Sequence, residues 1–338
     1  MKWLEWAPIE LENSVGGVEV HIRCLIRELK LLGVDAHFSS DPAQAREGTW
    51  DVVHTHGCWP LPGLLKLPRA EQQTVRLHTL HGTTLGRMAA CHEWLWPGGY
   101  RAYLQEWNGI LQSQGVLGVH PGLHLLKLAE RSGRSTDVCW NGWDSGVVDS
   151  GGDQARTEIS RELRLKLQKL GLFLCYVGRG GDQVKNTDAL IRAAKPSPWP
   201  IVAIPGDGFP SNEKFIHTGI LSPAQVREVL QMSRGLVLSS LYEGLPLVVL
   251  EALAQGIPVL STRVGGLSCL DAQLRELHFF KGAPEEWGFE IQDFCHRSCD
   301  PQSIQDRANW NQKRLFSWKD VAETTRDMAV ECLERKNK

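Results

Sequence analysis

Four things are missing from this chain: a long apolar run, an excess of either charge, two aspartates one residue apart, and a complete dinucleotide-binding glycine fingerprint. Each absence removes a class of function. A bilayer span needs about 20 consecutive apolar residues, and no stretch of the sequence reaches that. The opening MKWLEWAPIELENS has one lysine, then acids and a proline, so it reads as neither a secretion signal nor a spanning helix. A peripheral membrane contact is left open. With 37 basic and 39 acidic side chains, nothing favours nucleic acid or an acidic partner. The missing Asp-x-Asp argues against a divalent metal held by two neighbouring acids, and no metal is expected. GRGG (178–181) and GDGFP (206–210) both stop short of the three-glycine fingerprint, which speaks against nicotinamide or flavin chemistry.

A disulfide framework is also missing. The nine cysteines are odd in number and dispersed, and several lie in strand-like apolar runs. That pattern suggests reduced, buried thiols and a cytoplasmic location. FCHRSCD (294–300) groups Cys295, His296 and Cys299, but no second cysteine pair lies nearby, so helix packing is the simpler reading.

A chain of 338 residues exceeds one ordinary core, and two domains of about 150 residues are expected. KWLEWAP, the amphipathic VEVHIRCLIRELKLLG and VDAHFSS make an opening βαβ unit. WDVVHTHG, TVRLHTLHG, GVLGVHP and TDVCWNGW follow as strands ending in loop residues. The polar, glycine-rich DSGVVDSGGDQARTEIS (144–160) reads as a linker. Strand-helix alternation then resumes with LFLCYVGRGG, PIVAIPGDG, FIHTG, GLVLSS and IPVLST, and a charged amphipathic helix closes the chain. The expected class is α/β, with domains at 1–150 and 151–316 and a C-terminal helix at 317–338 packing back on the first. Two doubly wound parallel sheets would face a central cleft.

Chemistry concentrates at the strand ends. GLFLCYVGRGGDQVKNTDALIRAAK (171–195) carries Arg179 and Lys185 around a flexible loop before a helix. A guanidinium and an ammonium beside helix N-terminal amides suit a diphosphate, whereas two solvated cations are the plain alternative. Gly16 and Gly17 follow the first strand and open a helix, where backbone can approach a phosphate or sugar closely. Histidines end two strands: His54 and His56, then His78 and His81. Most such histidines bond loops. His81, followed by Gly82-Thr83-Thr84, is the one expected to face the cleft.

The segment SLYEGLPLVVLEALAQGIPVLST (240–262) is the most informative. It reads as strand, loop, then Pro246 as the first helical residue, with Gly256 ending the helix. Gly244, Leu245 and Leu247 would present amides at a positive helix end. Glu243 projects from the loop, and Glu251 sits inside the apolar run, where it could accept two hydrogen bonds from a vicinal diol such as a ribose. A capping acid and an edge acid are the alternative, which this ordered context disfavours.

YVGR…K…LI (176–191), EGLPLVVLEALAQGIPVLST (243–262) and VGG (264–266) resemble the second domain of glycosyltransferase family four, which has the GT-B fold and retains anomeric configuration. SVGGVEVHIRCLIRELKLLG, DVVHTHG, HTLHGTT and WNGWDSGVV resemble its first domain, and RLFSWKDVAE its C-terminal helix entry. The resemblance implies an enzyme that takes a nucleotide-diphospho-sugar, UDP- or GDP-linked, on the second domain. A sugar, lipid-linked glycan or small-molecule acceptor would bind the first, with no cofactor or metal. It further implies Arg179 and Lys185 at the diphosphate and Glu251 at the ribose. Glu243 and the amides of Gly244, Leu245 and Leu247 would hold the sugar, Gly16 and Gly17 the phosphates or acceptor, and His81 would lie beside the reacting sugar. The chain departs from the family at Asn186, where glycine is usual, and in LSCLDAQLRELHFFKGAPEEWG (267–288). A sugar-nucleotide epimerase and a catalytically silent sugar-nucleotide-binding protein are the competing readings. Incubation with donor alone separates them, since only an epimerase converts donor without acceptor.

Overall fold

The computed structural model describes residues 1–11, 16–47, 49–57, 74–94, 97–144, 158–296 and 301–337. Two compact units emerge: Met1–Gly142 together with Phe316–Lys338, and Trp143–Leu315.

In the first unit the elements run β1 (Lys2–Trp6), α1 (Gly17–Leu31), β2 (Asp35–Ser39), α2 (Pro42–Glu47), β3 (Val52–His56), β4 (Val75–Leu80), α3 (Thr84–Cys91), α4 (Pro97–Gln112), β5 (Gly115–Gly118), α5 (His124–Arg131) and β6 (Ser135–Val138). The six strands form a parallel sheet in the order β2-β1-β3-β4-β5-β6. Trp3, Leu4, Val52, Val53, Leu77 and Val116 are buried in its interior strands. Such continuous burial is expected where helices cover both faces of a parallel sheet. Strand order reverses between β1 and β3, so the loops after these strands diverge and leave a crevice at their carboxyl ends.

The second unit contains α6 (Arg161–Leu170), β7 (Leu174–Gly178), a 3₁₀ turn (Gln183–Lys185), α7 (Thr187–Ala194), β8 (Ile201–Pro205), β9 (Phe215–His217), α8 (Pro223–Met232), β10 (Gly235–Leu238), α9 (Leu247–Ala254), β11 (Val259–Ser261), α10 (Leu267–Leu270), β12 (Leu277–Phe279), α11 (Trp287–His296) and α12 (Pro301–Gln312). Its parallel sheet has the order β12-β11-β10-β7-β8-β9, with the reversal between β7 and β10. Leu174, Tyr176, Leu190, Ile201, Val237 and Ile291 centre one core cluster. Strand β12 lies inside the segment that departs from the family pattern. It is three residues long, at a sheet edge, and pairs in register with β11.

The last helix, α13 (Trp318–Lys336), belongs to the first unit. Ser317 and Asp320 cap it reciprocally: the Asp320 amide donates to Ser317 Oγ at 3.2 Å and the Ser317 amide to Asp320 Oδ2 at 2.7 Å. Trp318, Val321, Ala322, Thr325, Met328, Ala329 and Cys332 are its buried face. Val330, also apolar, is exposed. It follows Ala329 by one residue, a rotation of about 100° away from the buried stripe. Among the described residues seven cysteines are free, six of them buried. Cys295 Sγ lies 3.8 Å from Ser197 Oγ within the core of the second unit, while Cys58 and Cys299 fall outside the described residues.

Candidate functional site

At the switch point of the second sheet, the loops after β7 and β10 are fastened to each other. The Leu241 amide donates to the Val184 carbonyl at 2.7 Å, and Ser239 Oγ donates to the Lys185 carbonyl at 2.8 Å. These bonds carry Lys185 to Glu243: Nζ lies 2.6 Å from Oε1, and both side chains are half-buried. Ser240 Oγ donates to the same oxygen at 2.7 Å. Glu243 Oε2 therefore keeps its lone pairs free among the described residues. Arg179, one residue beyond β7, is exposed and makes no ion pair among them. Tyr176, on β7, places a buried hydroxyl without a partner near this loop. The sequence offered no sign of it, because an aromatic in a buried strand reads as core.

Helix α9 begins one residue later than expected, with Pro246 as its N-cap at φ −70°, ψ 116° and Leu247 as its first residue. Extended ψ at the cap suits a proline that has no amide to leave unpaired. Among the described residues the amides of Gly244 and Leu247 donate to nothing, while Leu245 is buried and has a partner. Glu251 occupies the fifth position of the helix, and Gln255 Nε2 bonds its main-chain carbonyl at 2.9 Å. Its carboxylate makes no hydrogen bond or ion pair among the described residues. Burial raises its pKa, and the positive charge of Arg227 opposes that rise. An acid kept in an apolar helix without a partner carries a desolvation penalty that a ligand with two hydroxyls would relieve.

Backbone packs on backbone beneath these groups. A Cβ on Gly180 would lie 1.4 Å from the Asp207 carbonyl oxygen, and one on Gly208 would lie 2.3 Å from the Gly181 nitrogen, so the two loops can touch only because both positions lack a side chain. Gly265 has φ +52°, and a Cβ there would sit 2.1 Å from the Gly244 oxygen and 2.3 Å from the Glu243 oxygen. The neighbouring Gly266 amide donates to that Gly244 oxygen at 2.7 Å. Gly265→Ala should thus destabilise the chain by about 1–3 kcal/mol and push the Glu243 loop aside. A urea midpoint equal to that of the unmodified protein would contradict this.

In the first unit, the ends of β1, β3 and β4 gather histidines around one buried acid. Glu5 stands opposite His54 in the β1–β3 register. Glu5 Oε1 accepts from Trp3 Nε1 at 2.6 Å, and His54 Nδ1 lies 3.1 Å from it. His56 Nε2 lies 2.5 Å from Glu5 Oε2, and His56 Nδ1 lies 3.1 Å from His81 Nε2. His21, from α1, faces Asn141 Oδ1 at 2.9 Å through Nδ1 and packs edge-on against His81 and Trp318. Burial alone would raise the Glu5 pKa, but the charges and hydrogen bonds of His54 and His56 outweigh it and hold the carboxyl well below the carboxylate range. Burial pushes His21 down to about 3 and His56 down to about 4, and it holds His81 well below the usual imidazole range. Two groups could offer donor atoms to a metal within 4.8 Å of one another: His21, His56 and His81, or Glu5, His54 and His56. Gly16 is the N-cap of α1 and Gly17 its first residue, at the β1 side of the crevice in this sheet.

The structure thus divides the candidate residues between units. Arg179, Lys185, Glu243, Gly244, Leu245, Leu247 and Glu251 belong to the second, and Gly16, Gly17 and His81 to the first. Trp140 stacks on Phe316 with ring centroids 6.0 Å apart, and Trp59 and Trp96 fall outside the described residues.

Residues 210–296, which include Glu243 and Glu251, match the family model for glycosyl transferases group 1. The sucrose-phosphate synthase (tll1590) of Thermosynechococcus elongatus superposes with a TM-score of 0.77 at 15% identity, covering 99% of both chains. The fold is GT-B. Two more GT-B structures superpose at a TM-score of 0.66. They are HepE of Anabaena in complex with UDP and glucose, at 14% identity over 98% of this chain and 100% of that one, and the catalytic domain of starch synthase IV of Arabidopsis thaliana bound to ADP and acarbose, at 13% identity over 99% of each. In sequence, the putative teichuronic acid biosynthesis glycosyltransferase TuaC of Bacillus subtilis (strain 168) is 28% identical over 234 residues. That match covers 65% of this chain and 55% of TuaC, about half its length. No GT-B helix among the described residues is long and apolar enough to cross a membrane.

Proposed function

We propose that this chain is a retaining glycosyltransferase of family four, moving a sugar from a UDP- or GDP-linked donor to a hydroxyl of a sugar, lipid-linked glycan or natural-product acceptor. The observation that carries the proposal is the Lys185–Glu243 pair at the β7/β10 switch point, in a fold where relatives hold UDP with glucose and ADP with acarbose. Donor binds the second unit and acceptor the first. Lys185 and Arg179 take the diphosphate, and Glu251, unpartnered in its helix, takes the ribose hydroxyls. Glu243 Oε2 and the amides of Gly244 and Leu247 take the sugar hydroxyls, with Leu245 shaping the loop beside them. Gly16 and Gly17 let backbone approach the phosphates or the acceptor, and His81 borders the reacting sugar.

The bond between the anomeric carbon and the diphosphate oxygen breaks with its electron pair going to that oxygen. Lys185, already held beside Glu243, and Arg179, free to swing in from the loop, stabilise the charge as it forms, which lowers the barrier. The acceptor oxygen bonds to the anomeric carbon on the same face and gives its proton to the departing phosphate. Lysine and arginine supply the charge that a metal would supply elsewhere, so no metal is assigned to the diphosphate. We place the reaction in the cytoplasm, on the reading of free thiols, with a peripheral membrane contact where the acceptor is lipid-linked.

A series of UDP-, GDP-, ADP- and TDP-sugars in a thermal-shift assay tests this. One of them, at about 100 times its dissociation constant, should raise the melting temperature of the second unit by about 5–10 °C. No shift with any member of the series would overturn the donor assignment.

A further inference from the structure

The buried acid beneath the histidines has no place in the reaction just described, yet its hydrogen bonds dictate where a proton sits two residues away. Glu5 is fully buried and its two oxygens face only donors: Trp3 Nε1, His54 Nδ1 and His56 Nε2. A carboxylate has no hydrogen to give, so the 2.5 Å contact to Oε2 requires the hydrogen on His56 Nε2. A singly protonated His56 then has its lone pair on Nδ1. The nitrogen 3.1 Å away, His81 Nε2, must be the donor. His81 is left with an unprotonated Nδ1, which has no hydrogen-bond partner among the described residues, and the residue is not fully buried. Burial, together with the surrounding imidazoles, keeps His81 neutral, so the assignment is not erased by a second proton at neutral pH.

We propose that Glu5 and His56 are positioning residues that lock His81 in its Nε2–H tautomer, so that His81 Nδ1 is presented as a hydrogen-bond acceptor for a ligand hydroxyl. The chemistry selects a partner that can donate, such as a sugar hydroxyl, and rejects a carbonyl, an ether or a deoxy position. Each link of the chain comes from a different strand end: Glu5 from β1, His56 from β3 and His81 just beyond β4. The arrangement also accounts for the histidine cluster without a metal, because the nitrogens of His56 and His81 that face each other already share one hydrogen. The ligand half of the proposal rests on the glycosyltransferase reading, whereas the tautomer half does not.

The test is long-range proton–nitrogen correlation NMR on protein labelled with ¹⁵N in its histidines, without ligand and after treatment with a chelator. His81 should show a protonated Nε2 and a bare Nδ1, favoured at least about tenfold over the other tautomer. In Glu5→Gln, whose amide can donate as well as accept, that preference should fall by about tenfold or more, with circular dichroism reporting whether the variant folds. If it does not fold, the unmodified protein alone decides. A proton on His81 Nδ1, protons on both nitrogens at neutral pH, or movement of the His56 and His81 signals on adding Zn²⁺ would each overturn the assignment. The nucleotide sugar that binds in the thermal-shift series should then shift His81 Nδ1. If none binds, or if the signal stays still, the ligand half falls while the tautomer stands on its own spectrum.

Discussion

Replacing Lys185 with alanine should lower sugar transfer by about 10²–10³-fold while the second unit stays folded. The ammonium is the cation assigned to the leaving diphosphate, and its 2.6 Å bond to Glu243 shows how close that charge lies to the carboxylate proposed to hold the sugar. Removing it has two consequences. The departing phosphate loses a preorganised positive charge, which reduces kcat. Glu243 keeps only its Ser240 bond and becomes an uncompensated anion near an anionic donor, which raises KM. Lys185→Ala combined with Glu243→Gln should therefore recover part of the KM and none of the kcat. Stability should change by no more than about 1 kcal/mol, because a half-exposed ion pair contributes little. The bonds that shape the turn run from the Leu241 amide and Ser239 Oγ to main-chain carbonyls and survive the substitution. Initial rates of folded Lys185→Ala that match the unmodified protein would sink the diphosphate assignment.

What the sequence disclosed about this site follows from how local each signal is. Glu243, Pro246 and Gly256 sit in one continuous strand-loop-helix-strand run, so spacing alone shows an acid before a helix and another within it. The alternation of the two halves is legible for the same reason, since each buried strand is a short apolar run closed by small or polar loop residues such as glycine, serine, histidine or asparagine. Strand β12 is not legible: three residues, LHF, with only Leu277 buried, carry too short a pattern. Nor is the Lys185–Glu243 pair, because 58 residues separate the partners and only the β7–β10 adjacency brings them together. Glu5 is the sharpest case. In WLEW it is a single acid among apolar residues, and only its register opposite His54 shows that it is the hub of a buried polar network. A charged residue inside a strand whose neighbours are all apolar is a signal that some distant partner compensates it, but the partner's identity lies in the pairing of strands.

That network should make the first unit acid-labile well above the pH at which carboxylates titrate. Burial holds His21 and His78 at about 3 and His56 at about 4, whereas an unfolded imidazole titrates near about 6.5. Below that value the unfolded chain binds protons that the folded chain refuses, so stability rises with pH and falls as the solution is acidified. Each such histidine contributes a slope of about 1.4 kcal/mol per pH unit. Three of them would remove about 5–8 kcal/mol between about pH 6.5 and 4.5, comparable to the whole stability of an ordinary domain. Glu5 acts in the same direction lower down: its depressed pKa stabilises the fold above the unfolded carboxyl value, and that share is lost as pH falls further. The groups facing this cluster are Glu5, His21, His54, His56, His78 and His81, with Asn141, Thr79 and Thr55 as neutral partners. Urea midpoints followed by near-ultraviolet circular dichroism should drop steeply from pH 7 to pH 5, and a flat profile would contradict the burial of neutral imidazoles. His78, bonded through Nδ1 to Thr55 at 2.7 Å and with Nε2 buried without a partner, gives a local check. His78→Gln should shave about 1.4 kcal/mol per pH unit from that slope without touching the Glu5–His56–His81 chain. The low dielectric that keeps His81 a neutral acceptor is the same one that penalises its neighbours when they are protonated, so acid lability and the ligand-facing tautomer have a common physical origin.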